Sequence, residues 1–489
     1  MSKIHIPLVP SLVWSITTVL LLLGISLLPR NVLSQEPYGT ILGTVTDSSG
    51  AVIPDAQVQI TNTATNVSTQ VVTNPAGNYR VPYLAPGRYT VMVERAGFKK
   101  YVRAGLEVQL AGRLELNIAL DPGEVTQQIE VTGETPLLSV ADGNRGAVIE
   151  RTQLQELPIR DGAAAELIVL APGVSNTTDL RPRKAAFSQG ISLLSINGVG
   201  EARNDFTVDG IPNVVSGGPG AGASDASSFT KVGVAFPSEA IQEMVVQTNV
   251  YDATQGHTPG GVFNMVTRGG TNEFHGEAHE FLKNRALNSN DFYSRMSDLP
   301  KSNIKDNRYG FSIGGPVAIP KFYDGHNKTF FFFSFENNPF ASPFTSFSTV
   351  PTPEQLRGDF SALLALGPQY QIYDPKSITF DGEHFNRTPF PNNIIPADRF
   401  DPAAKQLLTF WPAPNVPAAT PDGRLNYFFN NPDTGDWYRT YTTRVDHAFS
   451  QKHRIFGRLT LDRWRSVKDN FFFNESTGLE TNRTSQLIG

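Results

Sequence analysis

The sequence of 489 residues contains no cysteine. Disulfide scaffolds, thiol catalysis and cysteine-ligated zinc are therefore excluded. The chain also lacks a basic excess, because 41 Lys and Arg residues stand against 46 Asp and Glu residues and leave a net charge of -5. Nucleic-acid binding through bulk positive charge is thus excluded as a leading function. In contrast, 42 Gly, 35 Pro and 32 Phe are present, a composition typical of mainly β chains.

Long apolar runs are almost absent as well. Residues 11–28 form a run of about 18 residues, the lower limit for a membrane-spanning helix. Lys3 precedes this run, and Val32, Leu33 and Ser34 follow it. We predict a signal peptide over residues 1–34, cleaved after Ser34, and a membrane anchor is the alternative. Because no second run of this length exists, any further membrane contact must use β-strands.

Residues 39–121 read as a small β-sandwich, because short alternating runs are separated by turn residues. The stretches GTVTDSSGAVIPDAQVQITN and TNPAGNYRVPYLAPGRYTVMVERAGFKK resemble the carboxypeptidase-regulatory-like domain, which has a transthyretin-like fold. That resemblance implies a spacer or docking module without peptidase activity. Its superfamily is also described as carbohydrate-binding-like, but no residue here marks a sugar site. The predicted strands are 40–46, 56–61, 69–73, 79–84, 89–94, 105–110 and 114–120.

Residues 122–134 form a connector in which β-branched and polar residues alternate. Such a segment can be added as a strand to the sheet edge of another protein. It resembles the TonB box of TonB-dependent outer-membrane receptors, with a core of Ile129, Glu130, Val131 and Thr132. The alternative is that these residues form the last strand of the sandwich.

Residues 135–270 resemble the plug of the same receptors. The segments that carry the resemblance occur in the family's order: RTQLQELPIRDGAAAELIVLAPGV, INGVGEARNDFTVDGIPN and FPSEAIQEMVVQTNVYDATQGHTPGGVFNMVTRGGTNEFHG. The match is closest to the Oar-like subgroup, which also carries the sandwich. The sequence GGPGAG lacks the ending of a phosphate-binding loop, so it predicts a flexible loop. Within the plug we predict helices at 149–157 and 163–170, the second capped by Asp161, and strands at 194–197, 206–208, 244–248 and 262–267.

Residues 271–489 contain segments of alternating polarity, as a membrane β-barrel requires. In residues 453–463, Ile455, Gly457, Leu459 and Leu461 fall on one face, while Arg454, Arg458, Thr460 and Asp462 fall on the other. This segment is predicted to pair with residues 439–449 through Ser450-Gln451-Lys452, and RVDHAFSQKHRIFGRL resembles a hairpin of the Oar-like barrel. Earlier strands are predicted at 274–282, 308–315 and 328–336, the last with aromatic side chains for lipid or the interfacial girdle.

The number of residues after the plug can be compared with the number that a whole barrel requires. The resemblance implies a barrel of about 22 strands, which need about 220 residues at ~10 per strand. Only 219 residues (489 − 270) remain, and 14 of the 35 prolines lie between Pro343 and Pro432 in one long connection. We expect that connection to be an external loop, although no ligand-binding residue can be nominated. We also expect the barrel to be C-terminally truncated.

No catalytic constellation is recognisable. His275, Glu277 and His279 superficially resemble a zinc-protease motif, but the helical motif places glutamate directly beside the first histidine. On a strand the three side chains share one face, which a polar barrel lumen would also produce. We therefore expect no metal site, no cofactor and no enzymatic activity.

Together these features predict a mainly β chain: a transthyretin-like β-sandwich, an α/β plug and the N-terminal part of a transmembrane β-barrel. The resemblance implies a TonB-dependent outer-membrane receptor or transporter for an unidentified external substrate. Its expected partners are outer-membrane lipid and the inner-membrane TonB complex, which would remodel the plug, with the sandwich and plug turned to the periplasm. The alternative is a surface or secreted adhesin that binds carbohydrate or protein through the sandwich.

Overall fold

A computed structural model provides the fold, which is mainly β. The predicted signal peptide and the GGPGAG loop lie outside the described residues. Among the described residues, no helix is both long and apolar enough to cross a membrane. The structure describes residues 38–123, 128–130, 145–157, 162, 164–176, 194–199, 204–215, 231–249, 258, 260–290, 292–296, 301, 303–341, 344–431, 435–467, 470, 472–475 and 480–489.

The first unit is a β-sandwich with a single apolar core. One sheet has the order β4-β1-β7, with β8 also paired to β1, and the other has the order β3-β2-β5-β6. Alternate side chains of both sheets, such as Ile41, Val58 and Val91, are fully buried between them. This alternation is what one buried face per strand requires. The strands are β1 (Gly39–Asp47), β2 (Gln57–Asn62), β3 (Ser68–Val72), β4 (Asn78–Leu84), β5 (Gly87–Glu94), β6 (Lys100–Val108), β7 (Arg113–Glu115) and β8 (Ile118–Leu120).

Two predicted strands of the sandwich differ in their bounds. The strand expected at 114–120 is divided into β7 and β8, because the amide of Thr44 donates to Asn117 Oδ1 at 2.9 Å in place of a continuous ladder. The strand expected at 105–110 begins earlier and contains Gly105 at φ +74°. The register with β5 shifts nearby, so this glycine accommodates a bulge that a residue with a Cβ would strain.

The predicted TonB box contributes a strand to the sandwich. β9 (Gln128–Glu130) pairs in parallel with β6, so Ile129 lies opposite Tyr101 and Glu130 lies opposite Val102. In the described part of the chain β9 is the outermost strand of this sheet. Val131 and Thr132 lie outside the described residues. The observed pairing agrees with the alternative that we left open, a last strand of the sandwich, and the box assignment stays a prediction.

The second unit, residues 145–267, is called the plug here. Within its described residues, five strands form a mixed sheet in the order β10-β17-β18-β13-β14, in which β13 and β18 are parallel. The short pairs β11-β12 and β15-β16 lie outside this sheet. The strands are β10 (Arg145–Ile149), β11 (Val174–Asn176), β12 (Leu194–Ile196), β13 (Asp205–Val208), β14 (Ile211–Pro212), β15 (Val214–Val215), β16 (Lys231–Val232), β17 (Ile241–Asn249) and β18 (Val262–Thr267).

The plug helices differ from those predicted. The first, α1 (Arg151–Glu156), is shorter than the predicted 149–157 because Ile149 ends β10 and Glu150 precedes the first turn. The second is a 3-10 helix, Ala164–Leu170, and its start is held by the amide of Ala164, which donates to Phe236 O at 3.0 Å. The predicted cap Asp161 lies outside the described residues. The strands predicted in the plug are present, with bounds that differ by a few residues.

The third unit is an antiparallel sheet, called the wall here. In the described part of the chain it contains six strands in the order β19-β20-β23-β28-β29-β30. The hairpin predicted around Ser450 is present, with His447 opposite Ile455 and Thr440 opposite Asp462. The sequence did not predict the last strand. The wall strands are β19 (His275–Asn284), β20 (Lys305–Pro316), β23 (Thr329–Ala341), β28 (Asp436–Ala448), β29 (Arg454–Val467) and β30 (Glu480–Ile488).

The two faces of the wall have opposite character. Its exposed face carries apolar side chains, among them Phe311, which is 44% exposed, and Leu459, which is 41% exposed. Its buried face is mainly polar and contacts the plug. This inversion is the arrangement of a membrane β-barrel, with lipid outside and a polar lumen inside. The buried polar residues of the described wall strands are Asp306, Arg308, Ser312, Thr329, Ser334, Glu336, Asn337, Asn338, Thr440, Thr442, Arg444, Arg458, Thr460 and Asp462.

The phenylalanine run in β23 divides between these faces. Phe331, Phe333 and Phe335 are partly exposed, as expected for aromatics that meet lipid. Phe330 and Phe332 are buried, at 3% and 0% exposure, and therefore point to the plug. Successive side chains of a strand project to opposite faces, so a continuous aromatic run cannot lie wholly in lipid.

The long connection between β23 and β28 is ordered by short elements. β24 (Phe344–Ser348) pairs with β27 (Tyr427–Asn431), and this pairing joins the two ends of the connection. Asn393, fully buried, accepts from the amide of Ile372 at 2.6 Å and donates to Phe360 O at 2.9 Å. The helices and remaining short strands of the chain are β21 (Ala318–Ile319), β22 (Tyr323–Asp324), β25 (Thr379–Phe380), β26 (Phe385–Asn386), α2 (Phe292–Met296), α3 (Pro353–Leu356), α4 (Ser361–Leu364) and α5 (Pro402–Leu408), with 3-10 turns at Ser238–Ala240, Pro368–Tyr370, Pro375–Ser377, Pro391–Asn393 and Ala397–Arg399.

Candidate functional site: the interface between plug and wall

The most heavily charged interior of the molecule lies where the plug meets the wall. The plug supplies Asp209, which is 4% exposed and follows β13 in a turn with φ +51°. The wall supplies Arg444 from β28 and Arg458 from β29. Asp209 Oδ1 lies 3.0 Å from Arg444 Nη1, and Asp209 Oδ2 lies 2.7 Å from Arg458 Nη1. One plug carboxylate thus binds two neighbouring wall strands.

The orientation of Asp209 is fixed by the end of β18. The amide of Thr267 donates to Asp209 Oδ1 at 2.9 Å, and the Thr267 hydroxyl donates to Oδ2 at 2.7 Å. Arg444 Nη2 also lies 2.8 Å from Asp446 Oδ1, on its own strand. Every hydrogen bond in this cluster involves a charged group, and such bonds are stronger than neutral ones.

A second ion cluster joins the plug to the first wall strand. Glu277 Oε1 lies 2.7 Å from Arg151 Nη2 and 3.2 Å from Arg268 Nη1. Gln155 Nε2 donates to Glu277 Oε2 at 3.0 Å. Arg151 also donates to Ser238 O at 2.7 Å. These contacts link α1 both to the rest of the plug and to the wall strand β19.

A third cluster consists of Glu239 from the plug, His279 from β19 and Glu336 from β23. His279 Nδ1 lies 3.8 Å from Glu239 Oε1, and His279 Nε2 lies 3.5 Å from Glu336 Oε2. Arg308 Nη1 lies 3.9 Å from the same oxygen of Glu336. The imidazole therefore lies between a plug carboxylate and a wall carboxylate.

The sandwich contacts both other units. The amide of Leu110 donates to Glu243 Oε1 on the plug strand β17 at 2.7 Å. Leu110 also packs against Val245 and Val266 of the plug sheet. Burial raises the pKa of Glu243 to about 7, while the hydrogen bond from Leu110 acts in the opposite direction. Two charged residues, Glu150 and Glu107, raise this pKa further.

The start of the sandwich reaches the first ion cluster. Tyr38 immediately precedes β1, and burial raises the pKa of its hydroxyl to about 12, against the opposing influence of Arg444. On the wall side, Arg454 donates to Ser68 O of β3 at 3.1 Å. The amide of Asn272 donates to Ala64 O at 3.0 Å. All three units are therefore linked by polar contacts at one end of the wall.

The three residues of the metal-like pattern lie on one strand face, but they belong to different contacts. Glu277 binds Arg151 and Arg268, and His279 lies between Glu239 and Glu336. His275 instead lies near the hydroxyl of Thr271 and the carbonyl of Glu273. Although the three residues follow one another on the strand, no two of them share a partner among the described residues.

Several residues of the interface were not singled out from the sequence. Asp209 is 235 and 249 residues from its partners Arg444 and Arg458. Glu239 and Glu336 are each tens of residues from His279, so no local spacing relates these residues. The motif TVDG around Asp209 carried a usable signal. An aspartate before glycine at the end of a buried strand favours a turn with positive φ, which marks the position but not its partner.

Comparison with known proteins supports this architecture. Residues 266–488 match the family described as an outer membrane beta barrel domain, and residues 40–121 match the carboxypeptidase regulatory-like domain. The polar lumen face, the plug seated against it and these two matches agree with one another: the chain is similar to outer-membrane β-barrel proteins that carry an N-terminal sandwich.

The chain is similar to the TonB-dependent transporter Oar of Myxococcus xanthus, with 29% identity over 338 residues. The match covers 65% of this chain, and the chain spans 28% of the length of that relative. Among solved structures, the outer membrane transporter YddB of Escherichia coli has 13% identity and a TM-score of 0.41, covering 70% of this chain and 36% of YddB. The ferric enterobactin receptor PfeA of Pseudomonas aeruginosa has 13% identity and a TM-score of 0.35, covering 70% and 37%.

Proposed function

We propose that the protein takes up a substrate across the outer membrane in a TonB-dependent manner, and that the plug blocks the path until TonB acts. The observation that carries this proposal is the polar interface between plug and wall. Beside apolar contacts of Tyr438 with the plug core, it contains ion pairs and hydrogen bonds, including those of Asp209 with Arg444 and Arg458. Such contacts can exchange for water when the plug moves, whereas a continuous apolar core could not separate without large exposure of apolar surface.

The same proposal assigns the exported orientation. A signal peptide over residues 1–34 directs the chain across the inner membrane, and the sandwich and the plug then face the periplasm. The long loop at residues 344–431 lies at the outer side and is available to a ligand. Its exposed aromatic side chains include Phe380 and Phe385, but their chemistry does not select a substrate class. That the protein is no enzyme also stays a prediction.

TonB is proposed to bind the segment Ile129, Glu130, Val131 and Thr132 by strand addition. β9 pairs with β6 on one side and is the outermost strand of its sheet among the described residues. Backbone hydrogen bonds of an outermost strand can recruit a further strand. The comparisons do not favour the adhesin alternative, since the relative is a transporter.

The TonB assignment is tested with a proline scan of the connector. A proline has no amide hydrogen and cannot donate to a ladder, so Val131→Pro should reduce capture of the protein by the immobilised periplasmic domain of TonB at least tenfold. Thr126→Pro, in the same connector but outside the box, is the matched control and should retain capture. Equal capture of both variants and the parent would remove the assignment.

A further inference from the structure

The third cluster between plug and wall consists of side chains of the kinds that bind metal ions. Glu239, His279 and Glu336 come from the plug, β19 and β23, and each offers an atom that can bind a metal ion. These atoms all lie within 4.8 Å of one another. Tetrahedral zinc with bonds of ~2.0–2.2 Å places its ligands about 3.3–3.5 Å apart, so side-chain shifts of about 1 Å would close the group around an ion.

Four polar atoms of this group are buried and have no hydrogen-bond partner among the described residues. Glu336 has a side chain that is only 4% exposed, and His279 and Glu239 are 12% and 13% exposed. Within the part of the chain that the structure describes, Glu336 Oε2, Glu239 Oε2 and both nitrogens of His279 make no hydrogen bond. The approach of His279 Nε2 to Glu336 Oε2 at 3.5 Å is an ion-pair distance without hydrogen-bond geometry. Buried polar atoms without partners are rare, and a bound ion is one arrangement that would satisfy them.

The donor set selects the class of ion. One imidazole and two carboxylates are typical of divalent first-row metals, whereas Ca²⁺ and Mg²⁺ prefer oxygen ligands alone. Three protein ligands leave a fourth position for water. We propose that Glu239, His279 and Glu336 form a site for a divalent transition-metal ion of the zinc type that links the plug to the wall.

Arg308 is the competing cation at this site. Its Nη1 lies 3.9 Å from Glu336 Oε2, at the outer limit of an ion pair, and makes no hydrogen bond to a described residue. Its guanidinium carbon lies 4.3 Å from the ring centre of Phe281, where the aromatic face attracts it.

Such an ion would hold the two units together, because one ligand belongs to the plug and two belong to the wall. Metal that binds only the assembled state stabilises that state by mass action. The site therefore predicts a rise in the thermal midpoint with zinc, independently of whether TonB drives transport.

The test is a zinc titration of the purified protein in detergent after treatment with a chelator, followed by calorimetry. We expect one Zn²⁺ per chain, and His279→Gln should weaken binding at least tenfold. His275→Gln is the matched control, because it removes a histidine from the same face of the same strand. Absence of stoichiometric binding in the parent, or an equal loss in His275→Gln, would overturn the proposal.

Two further measurements guard against misfolding. Heat-modifiable migration in gels reports whether each variant has an assembled wall. Glu239→Gln changes the plug alone and leaves the wall sequence intact, so it should also weaken zinc binding at least tenfold. Zinc should raise the thermal midpoint of the parent and of His275→Gln, but not that of Glu239→Gln. A midpoint that rises equally in all three would contradict a site between plug and wall.

Discussion

At the scale of single residues, Asp209 holds the interface together. Its carboxylate is buried and binds two arginines from different wall strands. Burying such a group costs free energy unless it is paired, and removing one partner leaves the others as uncompensated charges. Its contribution therefore depends on all members being present.

We predict that Asp209→Ala destabilises the assembled protein by roughly 3–5 kcal/mol, the cost of leaving buried partners unpaired. The measurement is the denaturant midpoint for conversion from the folded to the unfolded gel band. Asp324→Ala is the control, because Asp324 pairs with His326 with a side chain that is 77% exposed, and exposed pairs contribute little. Comparable shifts in the two variants would show that the Asp209 cluster does not secure the plug.

At the scale of elements, successive side chains of each wall strand face the lipid and the lumen in turn. In β20, Phe311 is exposed while the neighbouring Ser312 is 3% exposed. Phe311 packs with Phe333 and Phe335 of the next strand, at ring distances of 5.8 and 5.9 Å. Cross-strand aromatic pairs of this kind stabilise a sheet and present a continuous apolar surface to the bilayer.

Phe311→Arg should impair assembly in membranes, because an arginine facing lipid near the midplane of a barrel costs about 2–4 kcal/mol. Phe311→Leu keeps an apolar side chain and should assemble like the parent. The fraction of chain with heat-modifiable migration in bilayers measures the difference. If the arginine variant assembles as fully as the leucine variant, this face of β20 does not meet lipid.

Elements were predictable to the extent that they depend on local pattern. The hairpin of β28 and β29 followed from alternation and a polar turn, and Ile455 and Leu459 are exposed while Arg458 and Thr460 are buried, as predicted. β30 escaped prediction because its sequence, ETNRTSQLI, alternates weakly. It is held by pairing with β29, a contact that a local pattern does not encode.

At the scale of the whole molecule, the sandwich docks on the plug through Leu110 and Glu243. The carboxylate of Glu243 is 7% exposed and accepts from the Leu110 amide. Burial raises its pKa from 4.5 to about 7. The folded state therefore favours the protonated form of Glu243. Its contribution to the free energy of unfolding is fully present below pH 4.5 and is lost as the pH rises through about 7.

We predict that the thermal midpoint falls between pH 4.5 and 7 through this group, by the equivalent of about 3 kcal/mol at most. Glu243→Gln should remove that part of the pH dependence, since an amide cannot ionise. Glu354→Gln, which alters an exposed loop carboxylate, should retain it. A pH profile for Glu243→Gln that matches the parent would exclude Glu243 as the source.

The sequence by itself determined the order of units and the faces of their strands, because turn residues and period-2 alternation act over a few neighbours. It also determined the mainly β class, through its abundance of glycine, proline and phenylalanine. Only the tertiary structure decided which charges meet. Asp209 and Arg458 are 249 residues apart, as the plug is seated against a wall formed later in the chain. The same long-range packing placed Glu239, His279 and Glu336 together, whereas His275 and Glu277, on the same face of the same strand, contact other residues.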